Sequence, residues 1–98
     1  MIQLTDDQLA EVTSILTTTP FECWVFGSRA RGTARPDSDL DICLRGDVAV
    51  PLEELGRLRE AYEASNLPFV VDLVDFRDLP EVFQQQVLRD GIRILKVS

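Results

Sequence analysis

Two groups of residues between positions 27 and 41 have types and spacing that suit chemistry on a phosphate. Residues 27–32 read Gly-Ser-Arg-Ala-Arg-Gly, and Asp39 and Asp41 follow with one leucine between them. Glycine at position 27 tolerates a tight turn and lets a ligand approach closely. A helix that starts after it would offer unpaired N–H groups to phosphate, whereas paired carboxylates suit a divalent metal ion. Together the two groups indicate chemistry on a nucleoside triphosphate.

The glycine turn follows a segment that the sequence predicts as a strand. Residues 21–26 are rich in aromatic and β-branched side chains, which is typical of strands. We expect Ser28 to cap a short helix and Gly32 to end it. A guanidinium group pairs well with phosphate oxygens, and Arg29 and Arg31 lie beside the turn. Because residues two apart on a helix point to different sides, we expect one of these two arginines to contact phosphate.

The two neighbouring aspartates lie in a second predicted strand, over residues 39–44. Because residues i and i+2 share one face of a strand, Asp39 and Asp41 point the same way, while the intervening apolar residues point toward a core. Like charges this close repel each other, and Mg²⁺ or Mn²⁺ fits their oxygen donors better than Zn²⁺ does. A solvated edge strand is the alternative, but the apolar opposite face and the nearby turn favour a metal site.

A third carboxylate lies in a later predicted strand, residues 69–76, which read Phe-Val-Val-Asp-Leu-Val-Asp-Phe. A charge inside such an apolar run is costly unless it is paired or belongs to a site. Asp72 and Asp75 have opposite strand parity, so a straight strand directs only one of them to the metal face. We expect Asp72 to join the site, and Asp75 to be a strand-end or turn residue.

The combined motif resembles a known enzyme family. Gly-Ser at residues 27–28, a ten-residue gap and then Asp39-Leu-Asp41 is similar to the signature of the nucleotidyltransferase superfamily related to DNA polymerase β. The fuller string over residues 27–41 resembles the minimal nucleotidyltransferases, the MNT or MntA-like family, and Asp72 falls where that family carries its third carboxylate. The resemblance covers nearly the whole chain.

The predicted elements agree with an α/β (α+β) nucleotidyltransferase fold. Helices are expected over residues 6–17, from 51 onward and from 79 to a stop at 91, and a last strand over residues 92–97. The order is αβαβαβαβ. With the resemblance, this predicts one domain over residues 1–98 with a small mixed sheet, helices on one face and carboxylates on the other.

The resemblance also implies a mechanism. Gly27 and Ser28 would hold the β- and γ-phosphates of the substrate ATP, and Asp39 and Asp41 would hold two Mg²⁺ ions. Asp72 would help to bind the catalytic metal and accept the proton of an attacking hydroxyl. Two metal ions can stabilise the entering and leaving oxygens of such a displacement.

The acceptor follows less directly from the sequence. Only Ser98 lies beyond the last predicted strand, so we expect another chain to supply the acceptor, or an open acceptor site. In the minimal family the usual companion is a small helical HEPN-type toxin. The resemblance therefore implies transfer of AMP to a tyrosine of that toxin, within a hetero-oligomeric toxin–antitoxin pair. Two alternatives stay open: a non-catalytic antitoxin that neutralises the toxin by contact, and a nucleotidyltransferase that acts on a small molecule.

Composition limits the other possibilities. The chain has 98 residues, a hydrophobic fraction of 45% and a net charge of −7. The negative charge argues against direct binding of nucleic acid, and no apolar run is long enough to span a membrane. There is no histidine, which disfavours zinc sites and histidine-based acid–base catalysis. Cys23 and Cys43 are expected to be free thiols in a cytoplasmic protein.

Overall fold

A computed structural model describes residues 1–96 as one four-stranded mixed sheet with four helices. The helices are α1 (Asp6–Leu16), α2 (Ser28–Arg31), α3 (Leu52–Glu63) and α4 (Glu81–Asp90). The strands are β1 (Glu22–Phe26), β2 (Leu40–Arg45), β3 (Val71–Asp75) and β4 (Ile92–Ile94), and a short 3-10 helix spans Phe76–Asp78. The sheet order is β3-β2-β1-β4; β1 runs antiparallel to β2 and β4, and β2 runs parallel to β3.

The predicted order of helices and strands and the mixed sheet are confirmed. The α1 N-terminus follows from sequence alone, because Thr5 and Gln8 form a capping box. The Gln8 backbone N–H donates to the Thr5 hydroxyl at 3.1 Å, and the Thr5 N–H donates to the Gln8 side-chain oxygen at 3.0 Å. This exchange satisfies N–H groups that have no partner within the helix. The prediction of a last strand over residues 92–97 is wrong at its end, because β4 stops at Ile94; Val97 lies outside the described residues.

The main core lies between one face of the sheet and the helices α1 and α3. It contains Val12 and Leu16 of α1 and Leu58 of α3, all fully buried. The buried Tyr62 of α3 donates its hydroxyl to the Val12 carbonyl at 2.9 Å. This bond joins the two helices and satisfies the phenol oxygen inside the core. Within residues 1–96, no helix is long and apolar enough to cross a membrane.

Helix α4 lies on the opposite face, where its Val87 packs against Phe26 of β1 and Cys43 of β2. The expectation that helices cover one face only is therefore wrong for α4. The reason is that β1 is apolar on both sides: Cys23 and Val25 face the main core, whereas Phe26 needs cover on the other side. Because α4 packs over Phe26, it covers part of the sheet face that carries the carboxylates.

Candidate active site

The turn after β1 depends on glycine at position 27. Gly27 has φ 77° and ψ −153°, a backbone conformation that is essentially restricted to glycine. Its carbonyl accepts the N–H groups of Ala30 and Arg31, which closes the single turn of α2. Ser28 is the first helical residue and makes no side-chain capping bond, so the prediction that it caps α2 is wrong. Gly32 ends the helix in the left-handed conformation, as predicted.

Gly27 lies directly against Asp41. Phe26, the last residue of β1, is paired with Asp41 of β2, so the turn begins where the aspartate side chain stands. A Cβ atom placed on Gly27 would lie 2.6 Å from the Asp41 Oδ2 atom. Such a contact is too short for any side chain to fit without displacing the carboxylate. The fold thus brings the glycine turn and the aspartate motif together, and glycine at 27 is required by both backbone angle and space.

The parallel pairing of β2 and β3 places Asp41 directly opposite Asp72. Asp39 lies one residue before β2, which begins at Leu40 rather than at Asp39 as predicted. The backbone enters the sheet only at Leu40, whose N–H donates to the Val70 carbonyl at 2.9 Å. The charge of Asp39 nevertheless raises the pKa of Asp72, so the two carboxyl groups lie near each other. The structure therefore gathers the three aspartates that the sequence selected.

Burial and neighbouring carboxylates raise the pKa of Asp41 and of Asp72. Burial raises the pKa of Asp41 to about 6, and the charges of Asp72 and Asp39 add to the shift, while Arg31 opposes it. The pKa of Asp72 is raised by partial desolvation, by the charge of Asp39 and by a hydrogen bond with Asp39, although its side chain remains exposed to solvent. The cluster is therefore a concentration of negative charge that a cation would stabilise.

The donor chemistry of this cluster fits Mg²⁺, because three carboxylates supply hard oxygen ligands without sulfur or imidazole. Within residues 1–96, no three acidic, cysteine or histidine side chains are already arranged around one point as a ready-made metal cage. The fit thus lies in the donor type, the shared face and the mutual repulsion of Asp39, Asp41 and Asp72. Small side-chain rotations would be needed for joint coordination.

Arg29 does not point to the phosphate turn, which corrects its prediction as a phosphate ligand. It is 4% exposed. Its guanidinium donates to the carbonyl of Gln3 at 2.8 Å and twice to that of Ser38, at 3.1 and 2.9 Å. Further bonds reach two carbonyls in the same loop, and the group lies 4.1 Å from the centre of the Phe69 ring. Arg29 therefore fixes the segment that precedes Asp39.

Arg31 remains available beside the turn. It is exposed, and its guanidinium lies 3.5 Å from the Gln86 side-chain oxygen of α4. Its charge lowers the pKa of Asp41, so it lies close to the carboxylate cluster. Arg31 is therefore the one of the two arginines that we expect to contact phosphate, and this contact stays a prediction.

Asp75 has the structural role that strand parity indicated. It is 3% exposed and points into the main-core side of the sheet, away from Asp72. One carboxylate oxygen accepts the Val50 N–H at 2.8 Å, and the other accepts the Arg77 N–H at 3.0 Å. The carboxylate therefore joins the 46–50 loop to the 3-10 helix that follows β3.

Sequence reasoning missed Arg59. This residue of α3 lines a cavity next to Asp72, and its positive charge opposes the rise in the pKa of that aspartate. No motif marks Arg59, because it lies on an exposed turn of a polar helix face like several other charged residues. Only the packing of α3 beside β3 brings it to the site.

Comparison with known proteins identifies the family. The family described as "Polymerase beta, Nucleotidyltransferase" matches residues 11–98. The chain belongs to this family. The predicted resemblance to minimal nucleotidyltransferases is confirmed, as is the assignment to a family of nucleotidyltransferase enzymes.

Three relatives are informative. A probable protein adenylyltransferase MntA from Haemophilus influenzae is 34% identical over 86 residues, which span 86% of this chain and 75% of the relative. A chain of a toxin–antitoxin crystal structure with AMP-PNP is 27% identical with a TM-score of 0.71, over 92% of this chain and 74% of that one. A chain from the complex of tri-AMPylated Shewanella oneidensis HEPN toxin with MNT antitoxin is also 27% identical, with a TM-score of 0.61 over 92% and 72%.

Proposed function

We propose that this chain transfers AMP from ATP, with Mg²⁺, to a tyrosine hydroxyl of a HEPN-type toxin and thereby acts as its antitoxin. The observation that carries the proposal is the contact of the Gly27 turn with Asp41, which is itself paired with Asp72. This arrangement puts a glycine turn, whose backbone would admit a phosphate, beside three carboxylates. The relatives named as a protein adenylyltransferase and as partners of a HEPN toxin support the choice of acceptor.

Each residue has a separate task in this proposal. Gly27 and Ser28 admit the triphosphate close to the backbone, and Arg31 supplies positive charge to its oxygens. Asp39 and Asp41 would hold two Mg²⁺ ions, which would supply positive charge to stabilise the negative charge that develops in the transfer. Asp72 completes the ligand set and receives the proton of the attacking hydroxyl. Its exposed side chain is accessible to such a hydroxyl.

The direct test uses a HEPN-type toxin encoded beside this chain, incubated with the chain, Mg²⁺ and ATP and then weighed by intact mass spectrometry. We expect the toxin to gain one or more AMP units at a tyrosine. The variant Asp39→Asn with Asp41→Asn should bind the toxin and add nothing. An unchanged toxin mass, with full neutralisation by the double variant, would establish the contact-only antitoxin instead. AMP found only on a small molecule would establish the third alternative.

We also propose a cytoplasmic location. The reaction consumes ATP, and both cysteines, Cys23 and Cys43, are free and buried. Free thiols are the usual state of cysteines in a reducing compartment.

A further inference from the structure

A cavity of about 230 Å³ lies at the outer side of β3, next to the carboxylate cluster. Its walls include Tyr62 and Arg59 of α3, together with Phe69, Val70 and Asp72 at the start of β3. The mechanism proposed above assigns no task to this cavity. It is neither the glycine turn nor the space over Asp41.

The inner walls of the cavity are held in place. Tyr62 is 6% exposed, and its hydroxyl is already bonded to the Val12 carbonyl. The Phe69 ring is covered by the Arg29 guanidinium at 4.1 Å, and Arg29 is itself anchored by backbone carbonyls. Val70 stands at the mouth with 61% of its surface exposed. The cavity is therefore preformed, with a rigid aromatic interior and an accessible entrance.

The cavity lies beside the outer strand of the sheet, two strands away from the one that the glycine turn follows. Gly27 follows β1 and touches Asp41 of β2, and Asp41 is paired with Asp72 of β3. The cavity adjoins Asp72 at the sheet edge, because β3 is the outer strand. An acceptor at the cavity would therefore meet the carboxylate cluster at Asp72, two strands away from β1, which the glycine turn follows.

Size and chemistry limit what the cavity can hold. Pockets for nucleotide-sized or drug-sized ligands usually measure roughly 300–1,000 Å³, so this cavity suits a single side chain. Its aromatic interior favours a flat ring. Arg59 provides hydrogen-bond donors, and Asp72 provides an acceptor. A ring that carries one hydroxyl group meets all three conditions.

We propose that this cavity is the acceptor subsite and that it receives the tyrosine side chain of the protein substrate, with Arg59 as a specificity-determining residue. The inference rests on the proposed function. In the reaction the tyrosine oxygen forms a bond to the α-phosphorus of ATP, and the bond from that phosphorus to the pyrophosphate oxygen breaks. The hydroxyl proton passes to Asp72, and pyrophosphate leaves.

The test measures acceptor binding without relying on catalysis. N-acetyl-tyrosinamide is titrated into isotope-labelled protein with Mg²⁺ and AMP-PNP, and amide and methyl chemical shifts are followed by NMR. We expect the shift changes to cluster at Phe69, Val70 and the facing turn of α3. N-acetyl-phenylalaninamide should bind more weakly, because it lacks the hydroxyl group that meets Arg59. Shift changes that cluster elsewhere, or none at saturating probe, would overturn the assignment.

A pair of matched variants makes the test specific. Val70→Trp fills the entrance, whereas Val48→Trp alters a valine of similar exposure, 63%, in a loop away from the cavity. Val70→Trp should weaken probe binding at least about tenfold and leave AMP-PNP affinity unchanged. Val48→Trp should change neither. Equal probe affinity in the two variants would contradict the proposal.

The two proposals can fail separately. If the wild-type chain adds AMP to its toxin and Val70→Trp does so with an unchanged KM for toxin, the function stands and the subsite is wrong. If the probe binds at the cavity but no AMP reaches a hydroxyl on any toxin, the cavity assignment stands and the proposed reaction is wrong.

Discussion

At the scale of single residues, the three aspartates store unfavourable charge that the reaction can use. Asp41 has a pKa of about 6 in the folded chain, against an ordinary value of 3.8. The folded state therefore holds this proton more tightly than the unfolded state does. The free energy of unfolding must accordingly fall as pH rises from about 4 through about 6. The ionised cluster above that range is destabilising until a cation binds.

Replacing Asp41 by asparagine should remove this pH effect. We expect Asp41→Asn to raise the free energy of unfolding at pH 7.5, without metal, by about 1–2 kcal/mol after allowance for solvent screening. At pH 4 the gain should disappear, because the wild-type carboxyl is then largely protonated. Thermal melts at both pH values measure the difference. An equal gain at pH 4 and pH 7.5 would mean that packing, not charge, is responsible.

Asp72 and Asp75 should respond oppositely to the same replacement. Asp72→Asn should lower the transfer rate by several orders of magnitude with little loss of stability, since its side chain is exposed. Asp75→Asn should leave the rate of the folded protein near wild type and lower the free energy of unfolding by about 1–3 kcal/mol. The loss follows because the buried carboxylate accepts two backbone N–H groups. Kinetics and chemical denaturation on both variants provide the check, and reversed effects would contradict the strand register.

At the scale of elements, the one-turn helix α2 connects the phosphate turn to the aspartate loop. Gly27 and Gly32 stand at its two ends with nearly equal φ angles, 77° and 75°. Their surroundings differ: a Cβ on Gly27 would meet Asp41, whereas nothing lies within 4 Å of one on Gly32. A side chain at position 32 would therefore cause backbone strain alone. A side chain at position 27 would cause the same strain and would also collide with the Asp41 carboxylate.

Gly27→Ala should abolish AMP-PNP binding, because the new methyl group displaces the Asp41 carboxylate. Gly32→Ala should cost about 1–2 kcal/mol of stability, the price of a left-handed L-residue, and should leave nucleotide affinity near wild type. Calorimetry and thermal melts distinguish the two variants. Wild-type AMP-PNP affinity in Gly27→Ala would show that the turn does not contact the triphosphate.

Arg29 anchors helix α2 to the loop that precedes Asp39. Lysine cannot reach its several carbonyl partners together, so Arg29→Lys should lower the free energy of unfolding by about 2 kcal/mol. Arg31→Lys, at an exposed position, should change stability little and weaken AMP-PNP binding instead. Denaturation and calorimetry on the pair test this division. Unchanged stability with weakened nucleotide binding in Arg29→Lys would restore Arg29 as a phosphate ligand.

At the scale of the whole molecule, the sequence predicts most of the site because strand alternation determines which side chains share a face. Strand parity selects Asp39, Asp41 and Asp72, and the parallel pairing of β2 and β3 aligns Asp41 with Asp72. Local patterns could not show which of two similar arginines is buried, because that depends on the loop packed over Arg29. They also could not place α4, since its apolar stripe is compatible with either face of the sheet.

Tertiary packing brings together residues that no sequence motif links. Arg59 and Phe69 are distant in sequence from the glycine turn, yet the fold brings both to the cavity beside Asp72. The chain's negative charge of −7 is compatible with a protein acceptor rather than with an unaided nucleic-acid backbone.

The most direct test of nucleotidyl transfer is turnover at a low ratio of this chain to its toxin. One part of the chain is mixed with about one hundred parts of a HEPN-type toxin, Mg²⁺ and ATP, and pyrophosphate release and toxin mass are followed together. We expect all of the toxin to become AMPylated, with one pyrophosphate released for each AMP added, and we expect Asp39→Asn with Asp41→Asn to stop both signals. Neutralisation only at equal amounts, without pyrophosphate or mass gain, would contradict catalytic transfer.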